Sequence, residues 1–137
     1  AERYEEQFSL ILLDLDHFKS INDNFGHVRG DKVLIEFSKL LKNNIREVDI
    51  CGRWGGEEFL VVCPKTDLES SIKLAKRLKN EIEQHDFTKV GQVTSSFGVA
   101  SYPPADKIKD VIKRADQSLY QAKETGRNKV ETIAHSN

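Results

Sequence analysis

The sequence predicts an α+β fold, in which a central, mostly antiparallel sheet is flanked by helices as an α/β sandwich. Short apolar runs of strand length alternate with longer segments whose apolar residues recur at helical spacing. Gly55 and Gly56 lie between two of these runs, as in a tight hairpin. A length of 137 residues suits one domain with one core. These observations predict the element order β-α-β-β-α-β-α-β.

Each predicted strand is bounded by turn residues or by a change of pattern. The first ends at Asp14 and the third at Pro64. The glycines between the second and third are both expected at positive φ, which a tight hairpin turn needs. In chain order, the predicted strands are residues 8–13, 50–54, 57–63, 92–102 and 129–133.

Amphipathic helices are predicted over residues 30–47, 67–84 and 108–122, where apolar residues follow a helical period. Gly126 is expected to cap the last helix. The polar stretch from Asp16 to Asp31 is interpreted as a long connection. Residues 1–7 are polar and the chain has no methionine, so we expect one domain, residues 1–137, cut from a longer protein, with 1–7 as a linker remnant.

Composition excludes several classes of function. The net charge of −1 argues against nucleic-acid binding, which would favour a strongly basic chain. No apolar run has the length of a membrane span and no signal peptide is visible, so we expect no direct membrane contact.

Cys51 and Cys63 lie in or beside apolar strand-like stretches and lack metal-ligand spacing. They are interpreted as reduced thiols rather than as a disulfide.

The segment Gly55-Gly56-Glu57-Glu58 carries the most chemical information. Because glycine has no side chain, a phosphate or a metal ion can approach the turn, and two carboxylates follow directly. Asp14 stands where another buried strand ends. Asp14 and Glu57 on adjacent strands would form a Mg²⁺ site whose shell is completed by substrate phosphates, which indicates phosphoryl-type chemistry. The alternatives are a surface hairpin with solvated acids and a loop or capping role for Asp14.

Polar residues elsewhere suggest nucleotide binding. Asn22 and Asp31 together offer the acceptors and donors that read a guanine edge, although a turn residue and a helix N-cap are the alternatives.

Two further pairs of residues are candidates for binding phosphate. Lys123 and Arg127 lie four apart at a helix end and could clamp phosphates or simply complement the helix dipole. Arg46 and Asp49 could bind a guanine base and a phosphate, or form a local surface ion pair.

Taken together, these residues resemble the GGDEF-domain diguanylate cyclases, in a GGEEF variant. The resemblance covers nearly the whole chain, and the motifs occur in the family's order and spacing. They are Asp14-Leu15-Asp16-His17-Phe18-Lys19-Ser20-Ile21-Asn22-Asp23, Phe25-Gly26-His27, Gly30-Asp31, Arg53-Trp54-Gly55-Gly56-Glu57-Glu58-Phe59, Ser96-Phe97-Gly98-Val99-Ala100, Ala115-Asp116-Gln117-Ser118-Leu119-Tyr120-Gln121-Ala122-Lys123 and Gly126-Arg127-Asn128.

The resemblance implies a fold like that of adenylyl cyclases and the palm of nucleotide polymerases. It implies an enzyme that joins two GTP molecules into cyclic di-GMP and releases two pyrophosphates. Each domain of a homodimer would hold one GTP, and each 3′-hydroxyl would attack the α-phosphate of the other nucleotide. Such a reaction depends mainly on positioning and on charge neutralisation by Mg²⁺ or Mn²⁺.

The resemblance also implies roles for single residues. Asp14, Glu57 and the Leu15 carbonyl would bind the metal, with Glu58 assisting. Glu57 would also accept the proton, and Lys19 would stabilise charge in the transition state.

The nucleotide would be held by residues from several segments. Asn22 and Asp31 would bind guanine with His27 nearby, and Asp31 favours cyclic di-GMP over mixed dinucleotides. The residues implied to hold the rest of the substrate are Gly55, Gly56, Lys123, Arg127 and the backbone amides around His17 and Phe18.

Arg46 and Asp49 match the family's Arg-x-x-Asp site, which binds the product and inhibits the enzyme. Arg77 is hypothesised to add a contact there. The competing interpretations are a non-catalytic receptor, which binds cyclic di-GMP at Arg46 and Asp49 or senses GTP, and a pure dimerisation module.

Two departures from the family pattern remain. Glu57 replaces the usual Asp, and the segment that the family carries before the first strand is missing, so the isolated domain is expected to be a weak enzyme. We expect a cytoplasmic location, where GTP is found, while the input signal and any membrane anchor of the parent protein stay open.

Overall fold

The computed structural model describes residues 8–102 and 108–133, which form a five-stranded sheet with helices on both faces. The strand order is β2-β3-β1-β4-β5, and only the β4–β5 pair is parallel. The predicted α+β class and mostly antiparallel sheet are therefore confirmed. The strands are β1 (Phe8–Leu15), β2 (Ile50–Gly55), β3 (Glu58–Pro64), β4 (Ser95–Tyr102) and β5 (Val130–Glu131).

The described chain contains four helices, one more than predicted. They are α1 (Phe18–Phe25), α2 (His27–Asn43), α3 (Leu68–Gln84) and α4 (Ile108–Glu124). The interpretation of residues 16–31 as a connection is wrong, because this stretch holds α1 and the start of α2. Helix α1 has only eight residues and buries only Ile21, so its three helically spaced apolar residues (Phe18, Ile21 and Phe25) are too few to distinguish a helix from a connection. Gly26, at φ +89°, separates the two helices.

Strand β1 is the centre of the fold and is buried on both faces, which explains its unbroken apolar run. Ile11 and Leu13 pack into the larger core, formed with α2 and α3. Leu10 and Leu12 face α4 on the other side. The alternation of β1 residues between two cores holds the end of the strand, at Asp14, in a fixed position.

Helix α4 approaches β4 closely at Gly98. A Cβ atom added at Gly98 would lie 2.2 Å from the carbonyl oxygen of Ala115 and 2.3 Å from the backbone nitrogen of Leu119. Because both are backbone atoms of α4, a side chain at this position would push the helix off the sheet. Glycine at position 98 therefore sets the distance between α4 and the sheet.

The hairpin between β2 and β3 differs from the prediction in one respect. Only Gly56 has positive φ, at +51°, whereas Gly55 remains in β2 and β3 begins at Glu58. A register shift between Arg53 and Gly55 accompanies the turn, and the Arg53 Nε donates a 2.6 Å hydrogen bond to the Gly56 carbonyl. A single left-handed residue suffices because this bulge absorbs the remaining twist.

The C-terminal end of α4 forms a Schellman-type cap. Gly126 adopts φ +125°, and the Arg127 N–H donates to the Ala122 carbonyl at 2.9 Å.

Cys63 is buried and Cys51 is half-buried, and both are free thiols. Among the described helices, none is long and apolar enough to cross a membrane. The predicted linker remnant at residues 1–7 lies outside the described residues.

Candidate functional site

The C-terminal end of β1 opens into a polar cleft of about 280 Å³, which we call the β1 cleft. It collects side chains from the end of β1, the start of α1, the β2–β3 turn and the end of α4. Its lining consists of Asp14, Leu15, Asp16, His17, Phe18, Lys19, Ser20, Glu57, Lys123 and Arg127. The fold thus brings together most of the residues predicted to bind metal and phosphate. Gly55, Gly56, Glu58 and His27 do not line this cleft.

Asp14 is the buried acid of the β1 cleft, with 3% of its surface exposed. Its Oδ2 accepts a hydrogen bond from the Nζ of Lys123. Burial raises the pKa of Asp14 to about 6, the bond and charge of Lys123 oppose that rise, and the negative charges of Glu57 and Glu58 add to it. The protein alone therefore disfavours the ionised form of Asp14, and a bound divalent cation would stabilise that form.

The two neighbouring acids differ in position. Glu57 lies in the turn and lines the β1 cleft. Glu58 pairs directly opposite Asp14 in the β1–β3 register, and burial raises its pKa against the opposing charge of Lys123.

The described residues include no group of three or more His, Cys, Asp or Glu side chains that could hold a metal by themselves. Two carboxylates, Asp14 and Glu57, with the nearby Leu15 carbonyl, fit Mg²⁺ in the mode that relies on substrate phosphates and water.

Positive groups form the other side of the cleft. Helix α1 starts at Phe18 after His17, which adopts φ 59°, and no side chain caps this helix start in the described chain. The first N–H groups of a helix lack intrahelical partners and attract anions. Lys19, Lys123 and Arg127 line the same cleft. The arrangement suits a phosphate chain lying beside two carboxylates.

A second cavity, of about 350 Å³, lies next to Asp31 and is called the Asp31 pocket. Asp31 sits exposed inside α2, whose N-cap position is Gly26, and Asn22 sits inside α1. The N-cap and turn alternatives for these residues are therefore wrong. The sequence did not indicate the other lining residues, because they come from three separate elements. They are Leu34, Ile35, Ser38, Lys42, Gly52, Arg53 and Phe59.

Asn22 is linked to the Asp31 pocket through Gly30. A Cβ atom at Gly30 would lie 1.9 Å from the Oδ1 of Asn22 and 3.3 Å from the ring of Phe18. The Asn22 side chain thus lies directly over the residue before Asp31, while Phe18 continues into the β1 cleft. His27 is exposed at the start of α2 and lines neither cavity.

A third cavity, also about 350 Å³, is lined by Arg46, Thr66, Ser70, Lys73, Leu74 and Arg77. We call it the Arg46 cavity. Asp49 does not line it, because its side chain is fully buried and holds the Arg46 guanidinium at 2.7 Å. The hydrogen bond from Arg46 to Asp49 raises the pKa of the guanidinium. Arg46 also donates to the Thr66 hydroxyl at 2.6 Å, and Arg77 donates to the Asn44 carbonyl.

Comparison with protein families finds a match to the model described as "Diguanylate cyclase, GGDEF domain" over residues 1–129. Diguanylate cyclase A of Treponema denticola is 38% identical over 137 residues, which covers 97% of this chain and 37% of that protein. Response regulator PleD of Caulobacter vibrioides is 43% identical over 128 residues, covering 89% of this chain and 28% of PleD. The chain spans about a third of the length of these curated relatives.

Solved structures agree in fold. The active GGEEF domain of a diguanylate cyclase from Vibrio cholerae has a TM-score of 0.88 and 38% identity, covering 96% of this chain and 85% of that one. The GGDEF domain of DgcB from Caulobacter crescentus, in complex with c-di-GMP, has a TM-score of 0.86 and 30% identity, covering 91% of this chain and 77% of that one.

Proposed function

The chain belongs to the GGDEF-domain family of diguanylate cyclases, and we propose that it condenses two GTP molecules into cyclic di-GMP and two pyrophosphates. The observation that carries this proposal is the β1 cleft, where Asp14 and Glu57 face the start of α1, Lys123 and Arg127. Acids for a metal and donors for a triphosphate therefore occur in one place. The chain would act as the catalytic domain of a longer regulated protein in the cytoplasm.

One GTP would occupy each domain. The triphosphate would lie in the β1 cleft against the first N–H groups of α1, with Lys123 and Arg127 binding its outer oxygens. The guanine would enter the Asp31 pocket, where Asp31 accepts from the base and Asn22 approaches from over Gly30. The gap between the two cavities is bridged by Phe18, which contributes to one and packs towards the other.

The reaction forms two P–O bonds and breaks two phosphoanhydride bonds. Asp14, Glu57 and the Leu15 carbonyl would hold Mg²⁺ or Mn²⁺, which would neutralise phosphate charge and favour ionisation of the attacking 3′-hydroxyl. Glu57, which lies in the turn at the mouth of the cleft, would accept the proton of that hydroxyl. Lys19 would stabilise the charge that develops on the phosphate, and each pyrophosphate would leave on the side of Lys123 and Arg127.

Two copies of the domain are required because each 3′-hydroxyl attacks the nucleotide held by the other copy. The β1 cleft suits this arrangement, since it is open to solvent and offers carboxylates for one nucleotide. We infer a homodimer that forms for catalysis. Its formation would be concentration-dependent, so the specific activity of the isolated domain should rise with protein concentration.

The Arg46 cavity would bind the product and inhibit the enzyme. Arg46 and Arg77 line it, and Lys73 adds a third positive group, which suits a ligand with two phosphates. Asp49 would act by holding Arg46 in place. The same cavity favours the second candidate, a receptor that binds cyclic di-GMP without making it.

Product analysis separates the two candidates. Purified domain is incubated with GTP and Mg²⁺ over a wide range of protein concentrations, alone and fused to a dimerising helix, and products are identified by mass spectrometry. The proposal predicts cyclic di-GMP, with specific activity that rises with concentration in the unfused domain. Absence of product in the fused dimer, together with tight cyclic di-GMP binding, would contradict catalysis and support the receptor.

A further inference from the structure

We propose that Asp16 is a positioning residue that fixes Arg127 for phosphate binding by holding the backbone of Asn128. The inference rests on the proposed function for the ligand of Arg127. It concerns a buried carboxylate that takes no part in the metal or nucleotide contacts proposed above.

The Asp16 carboxylate is buried, with 5% of its surface exposed, and it accepts hydrogen bonds from three protein donors. Its Oδ1 accepts from the Ser96 hydroxyl at 2.6 Å. Its Oδ2 accepts from the Thr94 hydroxyl at 2.7 Å and from the Asn128 backbone N–H at 3.0 Å. Three donors therefore engage this carboxylate, in contrast to Asp14, whose charge is poorly supported. This difference indicates that Asp16 organises structure and leaves metal binding to Asp14.

Arg127 and Asn128 need such a restraint, because both are non-glycine residues in the left-handed region, at φ 63° and 48°. Residues other than glycine seldom adopt this conformation, Arg less readily than Asn, so it persists where the surroundings hold it. The peptide groups on both sides of Arg127 are held. The Arg127 N–H donates to Ala122, and the Asn128 N–H donates to Asp16.

The Asn128 side chain extends the same network. Its Nδ2 donates to the Glu83 Oε2 at 3.0 Å, and the next residue, Lys129, accepts from the Phe97 N–H at 2.9 Å. Asp16 is thus the link between the end of β1, the start of β4 and the loop that carries Arg127 into the β1 cleft. Without it, the peptide group that follows Arg127 loses its hydrogen-bond acceptor, and the direction in which Arg127 leaves the backbone is less tightly restrained.

A double-mutant cycle tests this coupling. Four proteins are compared, each fused to the dimerising helix: wild type, Asp16→Ala, Arg127→Ala and the double variant. For each we measure steady-state kinetics and, by calorimetry in Mg²⁺, the binding of GTP. We expect Asp16→Ala to raise the KM and Kd for GTP about tenfold, with a smaller change in kcat, as loss of one charge-assisted contact does. In the Arg127→Ala background, the same substitution should change them less than twofold.

Two further variants make the result specific. Asp16→Asn should restore most of the affinity, because its amide oxygen can accept from Thr94 and Asn128. Ser71→Ala removes a buried hydroxyl that bonds only within α3, and it should lower stability without changing the KM. If Asp16→Ala does not fold, Asp16→Ser replaces it, since its hydroxyl can pair with buried neighbours but is too short to reach Asn128.

The hydrogen-exchange rate of the Asn128 amide provides a readout without nucleotide. It should increase in Asp16→Ala and stay unchanged in Ser71→Ala. Additive effects of Asp16 and Arg127, or an unchanged GTP Kd in Asp16→Ala, would overturn the proposal. Absence of turnover in the wild type would refute the proposed function instead. In that case the double-mutant cycle on GTP binding and the exchange rate of the Asn128 amide would still test the role of Asp16.

Discussion

Lys123, in the last turn of α4, donates a hydrogen bond to the buried carboxylate of Asp14 at the end of β1. The pair joins residues 109 positions apart and closes the floor of the β1 cleft. The Lys123 side chain remains about one-third exposed, whereas that of Asp14 is only 4% exposed. The ammonium group can therefore turn towards a phosphate, while the carboxylate keeps only a small exposed area, at the cleft that it lines.

Removal of the Asp14 charge should stabilise the metal-free domain. Its folded pKa is about 6 and its ordinary value 3.8, so the folded state holds this proton more firmly than the unfolded chain does. The contribution of Asp14 to stability is therefore most favourable below pH 4 and is lost as the pH rises through 6. Asp14→Asn should raise the free energy of unfolding by about 1–3 kcal/mol at pH 7.5 and by much less at pH 4.5.

Urea denaturation in the presence of a chelator measures this difference at both pH values. Asp86→Asn, which alters an exposed loop aspartate, serves as the control. Asp14→Asn should also abolish turnover with GTP and Mg²⁺. A lower stability of Asp14→Asn at pH 7.5 would show that the protein favours the carboxylate charge, against this account.

The guanine site predicts a change in nucleotide preference. Asp31→Ser removes the acceptor from the Asp31 pocket, so the ratio of kcat/KM for GTP over ATP should fall at least tenfold. Competition between the two nucleotides checks this, with Ile35→Val as a control that alters an apolar lining residue. An unchanged preference would refute the base-reading role of Asp31.

Gly30→Ala tests Asn22 without altering it. The added Cβ would lie 1.9 Å from the Asn22 Oδ1 and 3.3 Å from the Phe18 ring, so the flexible Asn22 side chain must turn away whereas Phe18 need shift only slightly. The KM for GTP should therefore rise severalfold, while stability changes little because alanine suits a helix interior. Wild-type KM in this variant would indicate that Asn22 does not contact the nucleotide.

Arg77→Ala should weaken product inhibition. Arg46 is a poor first target, because its loss would leave the buried Asp49 carboxylate without its main partner and cost stability. Arg77 is exposed and bonds only to the Asn44 carbonyl among the contacts described, so its loss should leave the fold intact. We expect the inhibition constant of cyclic di-GMP to rise about tenfold, with uninhibited kcat unchanged.

Lys76→Ala, next to Arg77 but outside the Arg46 cavity, is the matched control for inhibition assays. Equal inhibition of Arg77→Ala and wild type would remove Arg77 from the site.

Gly98→Ala should destabilise the fold by about 1–3 kcal/mol, because its methyl group would collide with the backbone of α4. Gly52→Ala is the control, since a Cβ atom there meets nothing within 4 Å. Thermal or urea unfolding measures both. A neutral Gly98→Ala would show that α4 can move away from β4 without loss.

The two strands that form the centre of the candidate site could be predicted from the sequence because they are apolar and bounded by turn residues, as the runs ending at Asp14 and Pro64 show. Helix α1 could not, because it is short and buries only Ile21. The roles of Asp14 and Glu57 remain predictions, although the fold places both at one cleft. The hydrogen bonds of Asp16 could not be predicted from local sequence patterns, since its partners Thr94, Ser96 and Asn128 lie 78 or more positions away along the chain.

The most direct measurement is the conversion of GTP by the dimer-fused domain and its Glu57→Gln variant, with GTP binding measured in parallel. Glu69→Gln, which changes an exposed acid on α3, is the control. The account predicts cyclic di-GMP from wild type and Glu69→Gln, and none from Glu57→Gln, which should still fold and bind GTP. Undiminished cyclic di-GMP production by Glu57→Gln would contradict the assignment of the β1 cleft as the catalytic centre.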